Sequence, residues 1–197
     1  MISLVVLISG SGSNLRALLE ATTRDNFPAQ IVGVGADTEA AGLEHARQFD
    51  VPTFVVSPRE FASRDEWGAE LLQQVQACTP DLVVCAGFMR ILPASFVHAL
   101  TPQLINMHPA LLPLFPGAHA VRDALAAGAT ETGATVHVVD EGVDTGPVIR
   151  QVSLAIEQGE TESQLHERIK VLERSLIVDT VSDIAHNRIN LKELARS

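Results

Sequence analysis

The feature that most constrains this chain is a short apolar run, Leu4-Val5-Val6-Leu7-Ile8, with Ser9-Gly10-Ser11-Gly12-Ser13 directly behind it. Helical spacing then begins at Asn14 and continues through Leu19. A stretch with no polar position reads as a strand buried on both faces, which requires helices on either side of its sheet. The same beat recurs. Ile31 to Val34 precedes a helix near Ala40 to Phe49, Thr53 to Val56 precedes one near Arg64 to Cys78, and Asp81 to Cys85 precedes a shorter one near Pro93 to Leu100. Strands alternating with helices of this length form parallel βαβ units with right-handed crossovers. The expectation is an α/β fold with a doubly wound, mostly parallel sheet.

The second half changes character. Leu104 to Met107 reads as one more strand, and the stretch from His108 to His119 carries Pro109, Pro113, Pro116 and Gly117. Such a segment is too long and irregular for an ordinary connection and points to a functional loop. Thr135 to Val139 and Val148 to Leu154 read as strands joined by the acidic, glycine-rich turn Asp140 to Gly146, with a hairpin as the simplest link. A long C-terminal helix is expected from Thr161 to about Asn187, opened by a capping box on Thr161 and Gln164. No linker interrupts the pattern, so 197 residues are read as one domain.

Charge narrows the partners. Fourteen Lys and Arg against 24 Asp and Glu leave a formal charge of −10, a poor match to nucleic acid or an anionic membrane. An anionic ligand would need a local pocket, so small-molecule chemistry is the default. Cys78 and Cys85 match no zinc spacing and suit buried thiols in a reducing compartment. The N-terminus lacks a basic leader and its apolar run is too short to cross a bilayer, so a cytoplasmic protein is expected.

Three constellations could carry chemistry. Gly10 to Asn14, between a strand and a helix, can present backbone amides to a phosphate, or be a tight turn that needs glycine. It lacks both the third glycine of a dinucleotide fingerprint and the Gly-Lys ending of a Walker loop. Asn106 and His108 alternate with Met107 at the end of a core strand, so they point to one side, where open parallel sheets bind ligands. A carboxamide beside an imidazole suits a developing oxyanion, although a capping Asn and a buried core His would read the same. In the acidic turn, Asp140 and Glu141 read as solvated turn formers, while Asp144, flanked by apolar residues, could orient and charge an imidazole. Rival readings are weaker. His108, His119, His137 and Asp144 have no recognised metal-ligand spacing, and no Gly-x-Ser-x-Gly elbow supports a serine hydrolase. Lys170 and Glu173 read by themselves as a surface pair one turn apart.

Taken together, these residues resemble the phosphoribosylglycinamide formyltransferase family over nearly the whole chain. The resemblance is carried by Ile8 to Leu15, Ala86 to Leu92, Asn106 to Pro113, Phe115 to Gly117, and Gly133 to Ile149. It implies formyl transfer from 10-formyltetrahydrofolate, as co-substrate and without a metal, to the amine of glycinamide ribonucleotide in purine biosynthesis. Asn106, His108 and Asp144 would then be catalytic. Gly12, Ser13, Asn14, Lys170 and Glu173 would bind the ribonucleotide. Arg64, Met89, Arg90, Ile91 and Leu92, with Val139, Asp140, Glu141, Gly142 and Val143, would bind the folate, Arg64 and Arg90 meeting its glutamate tail. Residues 1–100 would form the phosphate-binding half and 101–197 the catalytic and folate-binding half of a monomer or homodimer. The family also implies a cis Leu112–Pro113 bond. Leu114 and Ala118 depart from the family pattern, in a loop over the substrate. A tRNA-directed formyltransferase would bring a further domain and basic surface, and a deformylase an added N-terminal domain. A non-catalytic sensor would not need the Asn106, His108 and Asp144 set.

Overall fold

The computed structural model describes residues 1–195, so the last two positions of the 101–197 half lie outside the described residues. Five parallel strands form the body of one sheet: β1 (Ile2–Ile8), β2 (Ala29–Ala36), β3 (Thr53–Val55), β4 (Leu82–Cys85) and β5 (Leu104–His108). Two more follow, β6 (Glu131–Val138) and β7 (Val148–Ala155), giving the order β3-β2-β1-β4-β5-β6-β7. Because β6 is antiparallel to both its neighbours, it alone runs against the sheet direction, and β7 runs with β5. The expected doubly wound sheet with an antiparallel C-terminal strand and a long C-terminal helix is what the chain forms.

The alternation of β1 divides the core. Leu4, Val6 and Ile8 pack on one face with α1 (Ser13–Thr22) and α6 (Glu162–Ala185), while Val5 and Leu7 pack on the other with α3 (Arg64–Ala77) and α4 (Ala94–Leu100). The helix α6 opens on the expected capping box, with Thr161 and Gln164 satisfying each other's exposed backbone donors. Asp183 on α6 takes ion pairs from Arg150 on β7 and Arg188, which ties the antiparallel end of the sheet to this helix.

Several elements differ from expectation. The strand β6 begins four residues earlier than the Thr135 start, at Glu131. Its Gly133 hides that extension, since a Cβ there would stand 2.0 Å from the Val152 carbonyl oxygen. A further helix, α5 (Ala120–Ala126), follows the proline-rich loop. Short helices α2 (Leu43–Gln48) and α7 (Leu191–Leu194) complete the set. Cys85 is buried, and burial pushes its thiol up to about 12, whereas Cys78 is only half-buried. No helix among the described residues is long and apolar enough to cross a membrane.

Candidate active site

The C-terminal ends of β1, β4 and β5 open on one side of the sheet, and the loops beyond them are stitched together. Ser9 donates its backbone N–H to the Gly87 carbonyl at 3.0 Å, and its Oγ accepts from the Met89 N–H at 2.8 Å. Trp67 of α3 stacks on Phe88 with ring centroids 6.3 Å apart, and its indole N–H donates to the Val56 carbonyl at 2.8 Å. This packing fixes the segment from Gly87 to Leu92 as one wall of a cleft of about 380 Å³. The opposite wall is the β6–β7 turn, Val139 to Asp144, and the floor holds Asn106, His108 and His137.

Asn106 and His108 share that floor because they are two apart on β5, as alternation requires. Asp144 reaches them from the hairpin turn, whose backbone is left-handed at Asp144 itself, with φ 55°. Its Oδ2 lies 3.3 Å from His108 Nδ1 and accepts the Gly117 N–H at 2.8 Å. On the other ring edge, His108 Nε2 donates to the Phe115 carbonyl at 2.8 Å. Two acceptors thus flank one imidazole, a setting that only the doubly protonated ring satisfies in full. Burial lowers the His108 pKa, and the Asp144 charge with the Phe115 carbonyl pulls it back only in part. Burial would raise Asp144, yet a hydrogen bond that His137 Nε2 can donate only when its ring is doubly protonated, one from the Gly117 N–H, and the charges of both histidines outweigh it and hold the carboxyl at about 2. An ionised Asp144 is therefore permanent at neutral pH.

His137 was not among the residues expected to act with this set. It lies opposite Asn106 in the β5–β6 ladder, buried, with Nδ1 donating to the Val138 carbonyl at 2.9 Å. A carbonyl can only accept, so the neutral ring has a bare Nε2, and this atom accepts the Asn106 amide at 3.1 Å. The second amide hydrogen of Asn106 reaches Asp144 Oδ1 at a longer 3.4 Å. Only the ladder register places His137 here, and the one signal available in the chain was a buried-strand histidine before the acidic turn.

The loop behind His108 is anchored from β6. Thr135 Oγ1 donates to the Ala110 carbonyl at 2.6 Å and accepts the Leu112 N–H at 3.2 Å, while Gln151 donates to both Thr135 and the Leu112 carbonyl at 2.8 Å. Leu112–Pro113 is cis, as the resemblance implied, and Thr101–Pro102 is a second cis bond. Ala118 lines the cleft, whereas Leu114 is exposed. His119 is exposed at the start of α5 and does not join the other histidines. Among the described residues, no group of three or more His, Cys, Asp or Glu is arranged to hold a metal ion.

A second cluster forms where α1 meets α6. Gly12 sits at φ 71° ahead of α1, and no side chain caps the first amides of that helix. A Cβ on Gly12 would lie 2.9 Å from Gly42 Cα, so glycine is required by both conformation and space. Asn14 donates from Nδ2 to Glu173 Oε2 at 3.0 Å. The surface-pair reading of Lys170 with Glu173 is therefore corrected: Glu173 is only 6% exposed and faces Asn14, while Lys170 pairs with Glu167 at 2.7 Å. Burial raises the Glu173 pKa, offset in part by the Asn14 hydrogen bond and the charges of Lys170 and Arg174.

The remaining predicted residues divide between two hollows. Met89, Arg90 and Ile91 line both the main cleft and a more open hollow beside it, and Arg64 lines only the latter. In the turn, Asp140 accepts from the Gly142 N–H at 3.1 Å and from Thr145 Oγ1 at 2.8 Å, the turn-forming role expected of it. Glu141 is paired with exposed His98 of α4.

Comparison with known proteins shows the family and the fold. The formyl transferase family matches residues 2–181. A phosphoribosylglycinamide formyltransferase of Mycobacterium tuberculosis is 48% identical over 188 residues, 95% of this chain and 87% of that protein. One from Escherichia coli is 38% identical over 194 residues, covering 98% and 92%. A crystal structure of glycinamide ribonucleotide transformylase 1 from Symbiobacterium toebii superposes with a TM-score of 0.93 at 38% identity, covering 96% of this chain and 90% of that one. With a formyltransferase fold, the sequence identity and one cleft at the strand ends all in agreement, the chain belongs to the phosphoribosylglycinamide formyltransferase family.

Proposed function

We propose that the protein transfers the formyl group of 10-formyltetrahydrofolate to the amine of glycinamide ribonucleotide, a step of purine biosynthesis. The observation that carries this reading is the meeting of Asn106, His108 and Asp144, from two separate elements, at the floor of one cleft.

The substrate amine attacks the formyl carbon, forming a C–N bond and a tetrahedral intermediate whose carbonyl oxygen becomes an oxyanion. Asn106 donates to that oxygen with the amide hydrogen now spent on the long contact to Asp144, while the hydrogen held by His137 keeps the group aimed. One such donor is commonly worth about 3–4 kcal/mol in the transition state. His108, in the doubly protonated form that Asp144 and the Phe115 carbonyl favour against the burial that lowers its pKa, stabilises the oxyanion and passes a proton to folate N10 as the N10–carbon bond breaks. Asp144 assists removal of the proton that the attacking amine sheds, so protons balance across the transfer.

The two substrates approach from different sides. Uncapped amides at Gly12, Ser13 and Asn14 suit the ribonucleotide phosphate, with Lys170 as counter-charge and Glu173 accepting from the sugar or amine end. Met89 to Leu92 and Val139 to Val143 enclose the pterin, with backbone groups reading its edge and apolar side chains packing its face. Arg64 and Arg90 meet the acidic tail. The division into residues 1–100 and 101–197 belongs to this reading, although Lys170 and Glu173 from the second half complete the phosphate end of the first. No nucleic acid or membrane has a role in it, the net charge of −10 agreeing with small substrates. A cytoplasmic setting is part of the same reading.

The test follows loss of formyl from 10-formyltetrahydrofolate by absorbance, with and without glycinamide ribonucleotide, alongside His108→Ala. Consumption that requires the ribonucleotide and falls by orders of magnitude in the folded variant is expected. Consumption without the ribonucleotide would mean a deformylase, and near-normal turnover of the variant would remove His108 from the mechanism.

A further inference from the structure

Asp37 follows β2 directly, and its carboxylate is among the few charged side chains buried in the molecule, 3% exposed. Its Oδ2 accepts from Arg90 Nε at 2.5 Å, and its Oδ1 is buried with no hydrogen-bond partner among the described residues. The pair spans β1: Asp37 comes from the end of β2, Arg90 from the loop after β4, and β1 lies between them in the sheet. Arg90 belongs to a segment with neither helix nor strand, between exposed Met89 and Ile91, and its side chain is 46% exposed. An arginine so placed would sample many rotamers, and a ligand that bound it would have to order them. Held at Nε, it keeps its remaining N–H donors for another acceptor, and it lines both hollows where they meet.

We propose that Asp37 is a positioning residue for recognition of the folate's acidic tail, pinning Arg90 so that its free donors stand at the seam between the two hollows. The inference rests on the reading of Arg64 and Arg90 as the tail-facing cations. Arg64 has no ion pair among the described residues and supplies the uncompensated charge, while Arg90 supplies direction. A buried carboxylate is costly unless paired, so the pair persists whether or not a tail is bound.

The experiment measures kcat and both KM values for Asp37→Leu, Asp37→Asn and the double variant Asp37→Leu/Arg90→Leu, using donors with one and with several tail glutamates. The double variant leaves no buried charge unpaired, so it reads the loss of Arg90 without a folding penalty. Asp37→Leu is expected to raise the donor KM several-fold, to the level of the double variant, with kcat and the ribonucleotide KM changing far less. Asp37→Asn, whose side-chain oxygen can still accept from Nε, is expected to restore most of the donor affinity. A double variant with raised donor KM beside an unaltered Asp37→Leu would overturn the positioning role alone. An unaltered donor KM in the double variant would overturn the tail reading of Arg90 and the inference with it. Equal loss in kcat and both KM values, without rescue by Asn, would mark Asp37 as merely structural and also overturn the proposal.

Discussion

Across the β5–β6 ladder, the bare Nε2 of His137 accepts the Asn106 amide at 3.1 Å, and this contact sets the direction of the donor at the cleft floor. If His137 works through Asn106, its removal should resemble partial loss of Asn106. Asn106→Ala is expected to lower kcat by about 10²–10³-fold, the usual cost of an oxyanion donor. His137→Ala should lower it by a smaller factor, and the double variant should be no slower than Asn106→Ala. Steady-state kinetics on the three variants check this; additive losses would give His137 an independent role.

Asp144 links the site to acid stability. Its carboxyl is held at about 2 against an ordinary 3.8, so the native state binds the proton less readily than the unfolded chain. The stabilisation this confers is complete above 3.8 and disappears as pH falls through about 2. Urea unfolding of the parent and Asp144→Asn should therefore show a gap at neutral pH that narrows across that acid window. A gap independent of pH would mean that the contacts of Asp144, and not its charge, stabilise the fold.

Glu173 carries the opposite sign. Burial raises its pKa, so the folded state favours the protonated acid and the ionised form opposes folding as pH rises above the ordinary carboxylate range. Glu173→Gln keeps an acceptor for Asn14 and removes that opposition. The variant should melt no lower than the parent at neutral pH, with an advantage that develops as pH rises from the ordinary carboxylate range and then levels off, while its KM for glycinamide ribonucleotide increases. A fall in both melting temperature and affinity would show that the charge itself stabilises the α1–α6 contact.

Gly12 meets Gly42 at a separation that excludes any side chain, and its φ of 71° disfavours one independently. Gly12→Ala should cost stability through both terms and displace the first amides of α1. Ribonucleotide binding should then weaken more than donor binding, which calorimetry with each substrate separately would show. Equal weakening of both would place the damage in the fold as a whole.

Much of this protein is legible along the chain. The unbroken apolar run of β1 and its glycine-rich successor require a buried parallel strand feeding a helix, because no other arrangement covers both faces. Period-two spacing puts Asn106 and His108 on one side of β5 without reference to any other element. The capping box of α6 is likewise a local hydrogen-bond pattern, readable from Thr161 and Gln164 alone. The start of β6 was hidden because Gly133 interrupts a strand pattern for a reason that lies on β7, at the Val152 carbonyl.

What tertiary structure decided are the relations between residues far apart in sequence. Glu173 and Asn14 stand 159 positions apart, and only the packing of α6 on α1 turns an apparent surface acid into a buried acceptor. His137 becomes the partner of Asn106 through the register of an antiparallel ladder, a property of two strands together. Asp37 meets Arg90 because β1 separates their strands by one place in the sheet. Sequence spacing determines which side of its own element a residue occupies; which charge or acceptor it then faces depends on sheet order and helix docking, set by burial summed over the whole chain.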